Sequence, residues 1–354
     1  MKKAIRVILI ILLVLVLLIA AFFAFLTATQ LNPDTEGAEL TASTENADLT
    51  VAEGDTISVL SWNVGYAALG KESDFFMDGG EQTRPESSSV IDKNLEGIFN
   101  QISAQDADFT ILQEVDSGST RSYGVMETTF LADSLNLPNA YTRNYKCPFV
   151  PFPWPPLGKV SSGLFTLSTA EIGSAERVGL PIPFKWPIST ANLKRCLLVT
   201  RIPLENSDHE LVLVNLHLEA YDDGEGKAAQ TKVLTEFLLK EYEAGNYVIA
   251  GGDFNQTFPG GLDSFPIKDA SLWTPGVLDA SVLPGDGWQF AYDTETPTCR
   301  LLNQPYDPAD EATQYYVIDG FILSPNVTLN TVETVDAGFE FADHNPVLLN
   351  VALG

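Results

Sequence analysis

Beyond residue 55 the chain is a succession of short apolar runs, and most of them stop at a polar residue. The runs are Ile57–Trp62, Phe109–Leu112, Leu164–Leu167, Leu197–Ile202, Leu211–Leu216, Tyr247–Ala250, Tyr315–Leu323 and Val347–Val351. Each has strand length, is rich in Val, Ile, Leu and aromatic residues, and is bounded by Gly, Pro, Asp or Asn. Helical periodicity is rarer. In 88–104, Ile91, Leu95, Ile98, Phe99 and Ile102 share one face. In 225–243, Val233, Leu234, Phe237, Leu238 and Glu241 trace a similar stripe, ended by Gly245. Strands outnumber helices and the helices lie far apart, which predicts two packed sheets with helices outside rather than a doubly wound parallel sheet. Two stretches read as irregular. One is 146–161, with five prolines and with Phe149, Phe152 and Trp154; the other is 256–312, with Gly260, Gly261, Pro266, Pro284 and Pro305.

The N-terminus is of a different kind. Lys2, Lys3 and Arg6 precede an unbroken apolar run of 20 residues, Val7 to Leu26. A helix of that length crosses a bilayer. Basic residues on its N-terminal side alone predict a cytoplasmic N-terminus, with everything after residue 30 on the far side. The alternative is a cleaved signal peptide and a secreted product; its apolar core is normally shorter, and the small-residue pattern at Ala24–Ala28 makes a poor cleavage site. Residues 27–55 carry seven acidic groups and no Lys or Arg, and read as a flexible, solvated linker. The expected organisation is an anchor over 1–26, an acidic linker over 27–55 and one domain over 56–354. That domain holds 40 acidic and 17 basic residues, net −23, within a chain of net −27. Cys147, Cys196 and Cys299 are far apart and form no C-x-x-C, which argues against a cysteine zinc site. They read as buried apolar residues, with one disulfide left open for a protein outside the cell.

The polar residues that stop the apolar runs are candidates for chemistry. Asn63 ends ISVLSWN, Glu114 ends FTILQE, His217 lies in LVLVNLHL, and Asp253 and Asn255 end YVIAGGDFN. Asp319 lies in YYVIDGFIL, and Asp343 and His344 open DHNPVLLNV. Strand ends of a sandwich converge at one rim, and carboxylates gathered there need a positive partner, because unpaired like charges repel and desolvation is costly. A hard divalent cation such as Mg²⁺ suits oxygen ligands. Two of the three histidines, His217 and His344, belong to this set; Asp319 is placed to fix the tautomer of a neighbouring imidazole. Metal, carboxylates and histidines together suit hydrolysis of a phosphate ester. His209, in NSDHEL, reads as a hairpin tip, and GGDFN taken alone is compatible with a tight turn.

The segments SWNVGY, LQEVD, NLHL, GGDFN, VIDGFIL and DHNPV, in this order and spacing, resemble the endonuclease/exonuclease/phosphatase superfamily. That group includes deoxyribonucleases, apurinic-site endonucleases, bacterial sphingomyelinases and inositol polyphosphate phosphatases. The resemblance covers about 56–354. It implies a four-layer α/β sandwich with two mixed sheets and Mg²⁺- or Mn²⁺-dependent phosphoester hydrolysis. By motif it makes Glu114 the main metal ligand, with Asn63 beside it holding metal or phosphate and Asp343 near the metal. His344 becomes the base or water-orienting residue, supported by Asp319. Asp253 orients or deprotonates the attacking water, Asn255 binds phosphate, and His217 lies against the scissile phosphate. The chain departs from the apurinic-site enzymes at Gly65, where they carry Asp, and has Ala342 where Ser is usual before Asp-His. Tyr145 is a candidate for the tyrosine of those enzymes.

The net charge opposes long polyanions, so nucleic acid is the disfavoured partner. Lys194 and Arg195 form the only adjacent basic pair after the anchor. The expectation is a membrane-anchored hydrolase facing outside the cytoplasm and cleaving a small-molecule or lipid phosphodiester, with no obligate protein partner. The alternatives are an extracellular nuclease and a non-catalytic binding member; retention of Glu114, Asp253, Asn255, Asp319 and His344 together speaks against the latter. The loops 148–157 and 181–188 (PIPFKWPI) either enter the membrane interface or pack on the domain, the commoner fate of such residues.

Overall fold

Parallel neighbours in a sheet need a long crossover, and this chain supplies one to each of two sheets. Thr56–Asn63 runs parallel to Phe109–Asp116, joined through the helix Ser88–Gln105. Glu210–His217 runs parallel to Tyr247–Asp253, joined through the helix Glu225–Glu243. All other pairings within the two large sheets are antiparallel. The computed structural model describes residues 2–41, 47–222 and 224–354.

The first sheet has seven strands in the order Glu39–Thr41, Asn139–Val150, Gly158–Ser168, Phe109–Asp116, Thr56–Asn63, Val347–Leu353, Val327–Thr334. The second has six, in the order Gln289–Ala291, Asp319–Leu323, Tyr247–Asp253, Glu210–His217, Cys196–Pro203, Ser174–Gly179. Side chains alternate across a strand, and here both faces are buried. Val59, Ile111, Leu213, Ile249, Phe321 and Leu349 fill the space between the sheets. Leu60 and Leu112 turn outward to Ile91, Leu95 and Ile98 of one helix. Val214 and Val248 turn outward to Leu234 and Leu238 of the other. Burial on both faces explains why the central strands read as unbroken apolar runs. The result is the four-layer sandwich with two mixed sheets that the motifs implied.

Several elements differ from expectation. The strands Ser174–Gly179 and Val327–Thr334 lie at sheet edges with half their side chains in solvent, so their apolar signal is diluted. The helix Glu127–Leu135 buries only Glu127 and Leu131 and carries little stripe. The run 315–323 is two strands: Tyr315–Tyr316 pairs with Cys299–Arg300, and Asp319–Leu323 joins the second sheet. The irregular stretch 146–161 narrows to 151–157, because the residues on either side form a hairpin. Pro148 is accommodated at a register shift in it, between Cys147 and Val150. The three cysteines are buried and unpaired.

The acidic segment corrects the expected free tether. Glu39–Thr41 adds to the edge of the first sheet against Asn139–Tyr141, and Arg143 donates to Glu36 at 2.5 Å and to Glu39 at 3.1 Å. Further along, Leu49 bridges to Ala170 and Val51 to Leu204. A lone strand finds partners wherever a sheet leaves unpaired N–H and C=O groups. Residues 42–46 of this segment lie outside the described residues. The helix Lys2–Thr29 is long and apolar enough to cross a membrane, and Leu26 in its last turns is buried against the domain.

Candidate active site

Strands that run parallel end at the same edge, and antiparallel neighbours begin there. His217 and Asp253 close the parallel pair of the second sheet in register with each other, and Asp319 opens the next strand opposite Asp253. In the first sheet Asn63 closes its strand beside Gln113, Glu114 follows, and Asp343 and His344 stand just before Val347–Leu353. Two crossovers of the same kind therefore bring Asn63, Glu114, His217, Asp253, Asn255, Asp319, Asp343 and His344 to one rim. All but Asp319 line a single cavity, and Asp319 stands directly behind His344.

His344 Nδ1 meets Asp319 Oδ2 at 2.8 Å, which turns its Nε2 toward Asp253 Oδ2 at 3.8 Å and Asp343 Oδ2 at 4.0 Å. His217 Nε2 lies 3.4 Å from Asp253 Oδ2 and 4.0 Å from Glu114 Oε1. Asn63 Nδ2 donates to Asp253 Oδ2 at 3.0 Å and to Glu114 Oε1 at 3.3 Å. Its own oxygen accepts the Gly65 N–H at 3.1 Å, which leaves that oxygen a second lone pair. The Asn255 N–H donates to Asp253 Oδ1 at 2.8 Å, and its side-chain NH₂ donates to the Leu218 carbonyl.

Local structure holds these groups still. Trp62 Nε1 donates to the His344 carbonyl at 2.8 Å, and Thr298 Oγ1 accepts the backbone N–H groups of Ile318 and Asp319. Glu114 sits where the pairing with Gly158–Ser168 shifts register, at φ +56°, a left-handed conformation that a non-glycine residue adopts at a cost. The two glycines before Asp253 are required by crowding. A Cβ on Gly251 would fall 2.3 Å from the Phe321 ring; on Gly252, at φ +140°, it would fall 2.0 Å from the Leu216 carbonyl oxygen.

The electrostatics separate the two histidines. Burial alone would lower the pKa of His344, but Asp319, Cys299 and Asp343 outweigh it and hold the imidazole well above its ordinary range. Burial lowers His217 well below that range, and the charges of Arg195 and His344 push the same way. Burial lifts Asp253 to about 7, with Asp319 adding and His344 opposing. Burial likewise lifts Asp343 to about 7; His344 opposes and Glu114 adds. These carboxyls are short of positive charge, and Asp343 Oδ1 is buried without a hydrogen-bond partner. Ligand atoms of Asp253, Asp319 and His344, and of Cys299, Asp343 and His344, lie close enough together to hold an ion. Glu114 lies outside both sets but lines the same cavity. A donor set dominated by carboxylate oxygens fits a hard divalent cation.

Two cationic groups stand in the cavity wall to which the sequence assigns no role. Arg121 forks Asp116 through Nε and Nη2, at 3.1 and 2.9 Å, and its guanidinium lies 3.5 Å over the Tyr66 ring. Arg195 Nε lies 3.7 Å from Glu219 Oε2, an ion pair without a hydrogen bond, and Nη1 donates to the His217 carbonyl. The Lys194–Arg195 pair was visible but gave no direction; Arg195 turns to the cavity, and Lys194 donates to the Ser189 carbonyl. Nothing in STRSYG marks Arg121. Tyr145 lines the cavity with its hydroxyl donated to the Ala191 carbonyl, and His209 stands at the hairpin turn away from it.

The profile of the Endonuclease/Exonuclease/phosphatase family matches residues 60–344, from the strand carrying Asn63 through His344. The chain belongs to this family. Its members are phosphoester hydrolases that generally use divalent metals. Among solved structures, the endonuclease/exonuclease/phosphatase from Beutenbergia cavernae DSM 12333 is 18% identical, with TM-score 0.56 over 84% of this chain and 72% of that one. A conserved protein from Enterococcus faecalis V583 is 15% identical, with TM-score 0.55 over 84% of this chain and 100% of that one. TDP2 from D. rerio, complexed with a single-strand DNA product, is 15% identical, with TM-score 0.52 over 84% and 99%. At such identities the likeness is one of fold. No curated protein matches the sequence.

Proposed function

We propose that the protein is a Mg²⁺- or Mn²⁺-dependent hydrolase of a small-molecule or lipid phosphodiester. Its N-terminal helix anchors it, with the domain outside the cytoplasm. The observation that carries the chemistry is the meeting of Asp319, His344 and Asp253 at the cavity floor. Asp319 fixes one nitrogen of His344 and favours its charged form, so Nε2 donates toward an oxygen of the bound phosphate. Asp253, whose pKa near neutrality gives it affinity for a proton, orients the attacking water and accepts its proton. His217, kept neutral by burial, lies against the phosphate together with Asn255. Asn63 holds the Asp253 and Glu114 carboxylates in register, and Arg121 and Arg195, each beside a carboxylate, place guanidinium groups in the cavity wall that suit an anion. Glu114 and Asp343 would hold the cation, which when bound supplies positive charge to the phosphoryl oxygens.

The test is hydrolysis of bis-p-nitrophenyl phosphate by the full chain. Activity should disappear in EDTA and return with Mg²⁺ or Mn²⁺, and His344→Ala and Glu114→Ala should each lose about a hundredfold or more. Wild-type rates in both variants would refute the assignment. Efficient nicking of plasmid DNA would transfer the protein to the nuclease reading, which the net charge of −23 over residues 56–354 disfavours.

A further inference from the structure

The wall of the catalytic cavity is also the place where the apolar helix meets the domain. Leu26, in the last turns of that helix, is buried in one cluster with Tyr145, Cys147, Val150, Leu157 and Val160, and Phe22 and Phe76 pack against it. Tyr145, Leu157 and Phe76 belong equally to the cavity lining. Around this junction the helix makes specific contacts with two loops. Phe22 packs edge-on against Phe149, Phe23 lies 5.8 Å from the Trp186 ring, and Trp186 Nε1 donates to Thr27 Oγ1 at 3.0 Å. Phe152, in the first of those loops, packs edge-on against Phe76 at the cavity wall.

The same loops expose large apolar side chains that the domain leaves uncovered: Trp154 at 89%, Phe152 at 69%, Trp186 at 62% and Ile188 at 61%. Single exposed apolar residues are ordinary; a cluster beside the end of a membrane-length helix is not. The charge is unusual here too. Residues 134–170 and 177–204 contain no Asp or Glu, in a chain with 47 of them, yet carry eight of the 17 basic residues beyond residue 55. Lys146, Lys159 and Lys185 are exposed on this side. Aromatic rings flanked by Lys and Arg are what the headgroup region of a bilayer favours.

We infer that the Phe149–Trp154 and Trp186–Ile188 loops, continuous with the end of the helix, seat the cavity mouth on the bilayer that the helix crosses. The cavity then receives the phosphate headgroup of a lipid lying in that bilayer. This deepens the hydrolase reading and rests on it for the substrate. Apolar Phe75, Phe76, Met77 and Leu157 line the cavity and continue the surface inward, so a headgroup reaches the carboxylates while its chains stay against apolar side chains.

The experiment uses the full chain reconstituted in anionic vesicles containing lipid brominated high on the acyl chain. Intrinsic tryptophan fluorescence should be quenched relative to unbrominated vesicles. The double variant Trp154→Phe, Trp186→Phe should lose most of that quenching, since Trp62 and Trp288 are buried in the domain and half-buried Trp273 is packed inside the cavity against Tyr221 and Tyr316. No quenching, or quenching unchanged in the double variant, overturns the seating. In a second arm, Phe152→Ser with Trp154→Ser should lower hydrolysis of a vesicle-embedded phosphodiester lipid by about fivefold or more. Hydrolysis of soluble bis-p-nitrophenyl phosphate should stay within about twofold. Equal effects on both substrates, or self-association of the chain through these loops, overturn the lipid assignment. Inactivity of the unmutated chain on the soluble ester would instead strike the hydrolase reading.

Discussion

Glu114 combines two demands that usually fall on different residues. Its backbone takes the left-handed conformation at the register shift, and its carboxylate faces Asn63 and His217 across the rim. A strained backbone of this kind costs of order 1–3 kcal/mol and persists where function requires it. Glu114→Gly should therefore abolish phosphodiesterase activity while raising the stability of the metal-free chain by roughly 1 kcal/mol, read from urea midpoints. A loss of stability would show that the carboxylate contributes more to the fold than its backbone takes away. At this scale most of the site was legible, because Asn63, Glu114, Asp253, Asp319 and His344 each interrupt an apolar run. Arg121 was not, and Arg195 showed only as half of a basic pair, because a buried arginine has no sequence pattern of its own. Its partners, Asp116 and Glu219, are acquired only once the strands are placed.

The elements divide by how much of each is buried. The helices Ser88–Gln105 and Glu225–Glu243 and the central strands could be read directly, because packing selects apolar side chains on every face that touches a core. Edge strands such as Ser174–Gly179 were missed for the converse reason. The motif GGDFN was ambiguous on sequence alone. Its glycines prove to belong to the strand itself, where Phe321 and the Leu216 carbonyl leave no room for a Cβ. Gly251→Ala should therefore destabilise the domain by roughly 2 kcal/mol in chemical denaturation, as overpacking of a filled interior does. An unchanged midpoint would mean that the inter-sheet layer yields at Phe321. The bulge at Glu114 could not have been seen in advance, since one extra residue in a strand leaves its composition unchanged.

For the molecule as a whole, the balance of charge governs stability. Asp253 and Asp343 bind their protons more tightly in the folded chain, with pKa values near 7 against about 4 when unfolded. The metal-free fold should thus be most stable below about pH 4 with respect to these groups and should lose stability as pH rises toward 7. Mg²⁺ should raise Tm more at pH 8 than at pH 5, because the ion competes with those protons. Differential scanning calorimetry of the EDTA-treated and Mg²⁺-loaded chain checks this, and a metal-induced Tm shift larger at pH 5 would contradict it. The acidic segment was misread at this scale, since its polar composition hides the backbone groups through which Glu39–Thr41 joins the sheet. That attachment has a kinetic consequence. With Leu26 packed on the domain and Glu39–Thr41 stitched to its edge, the end of the helix is held against the domain at both points. On the proposed anchoring, a domain held this way would patrol a plane by lateral diffusion, and turnover would follow the surface density of substrate rather than its bulk concentration.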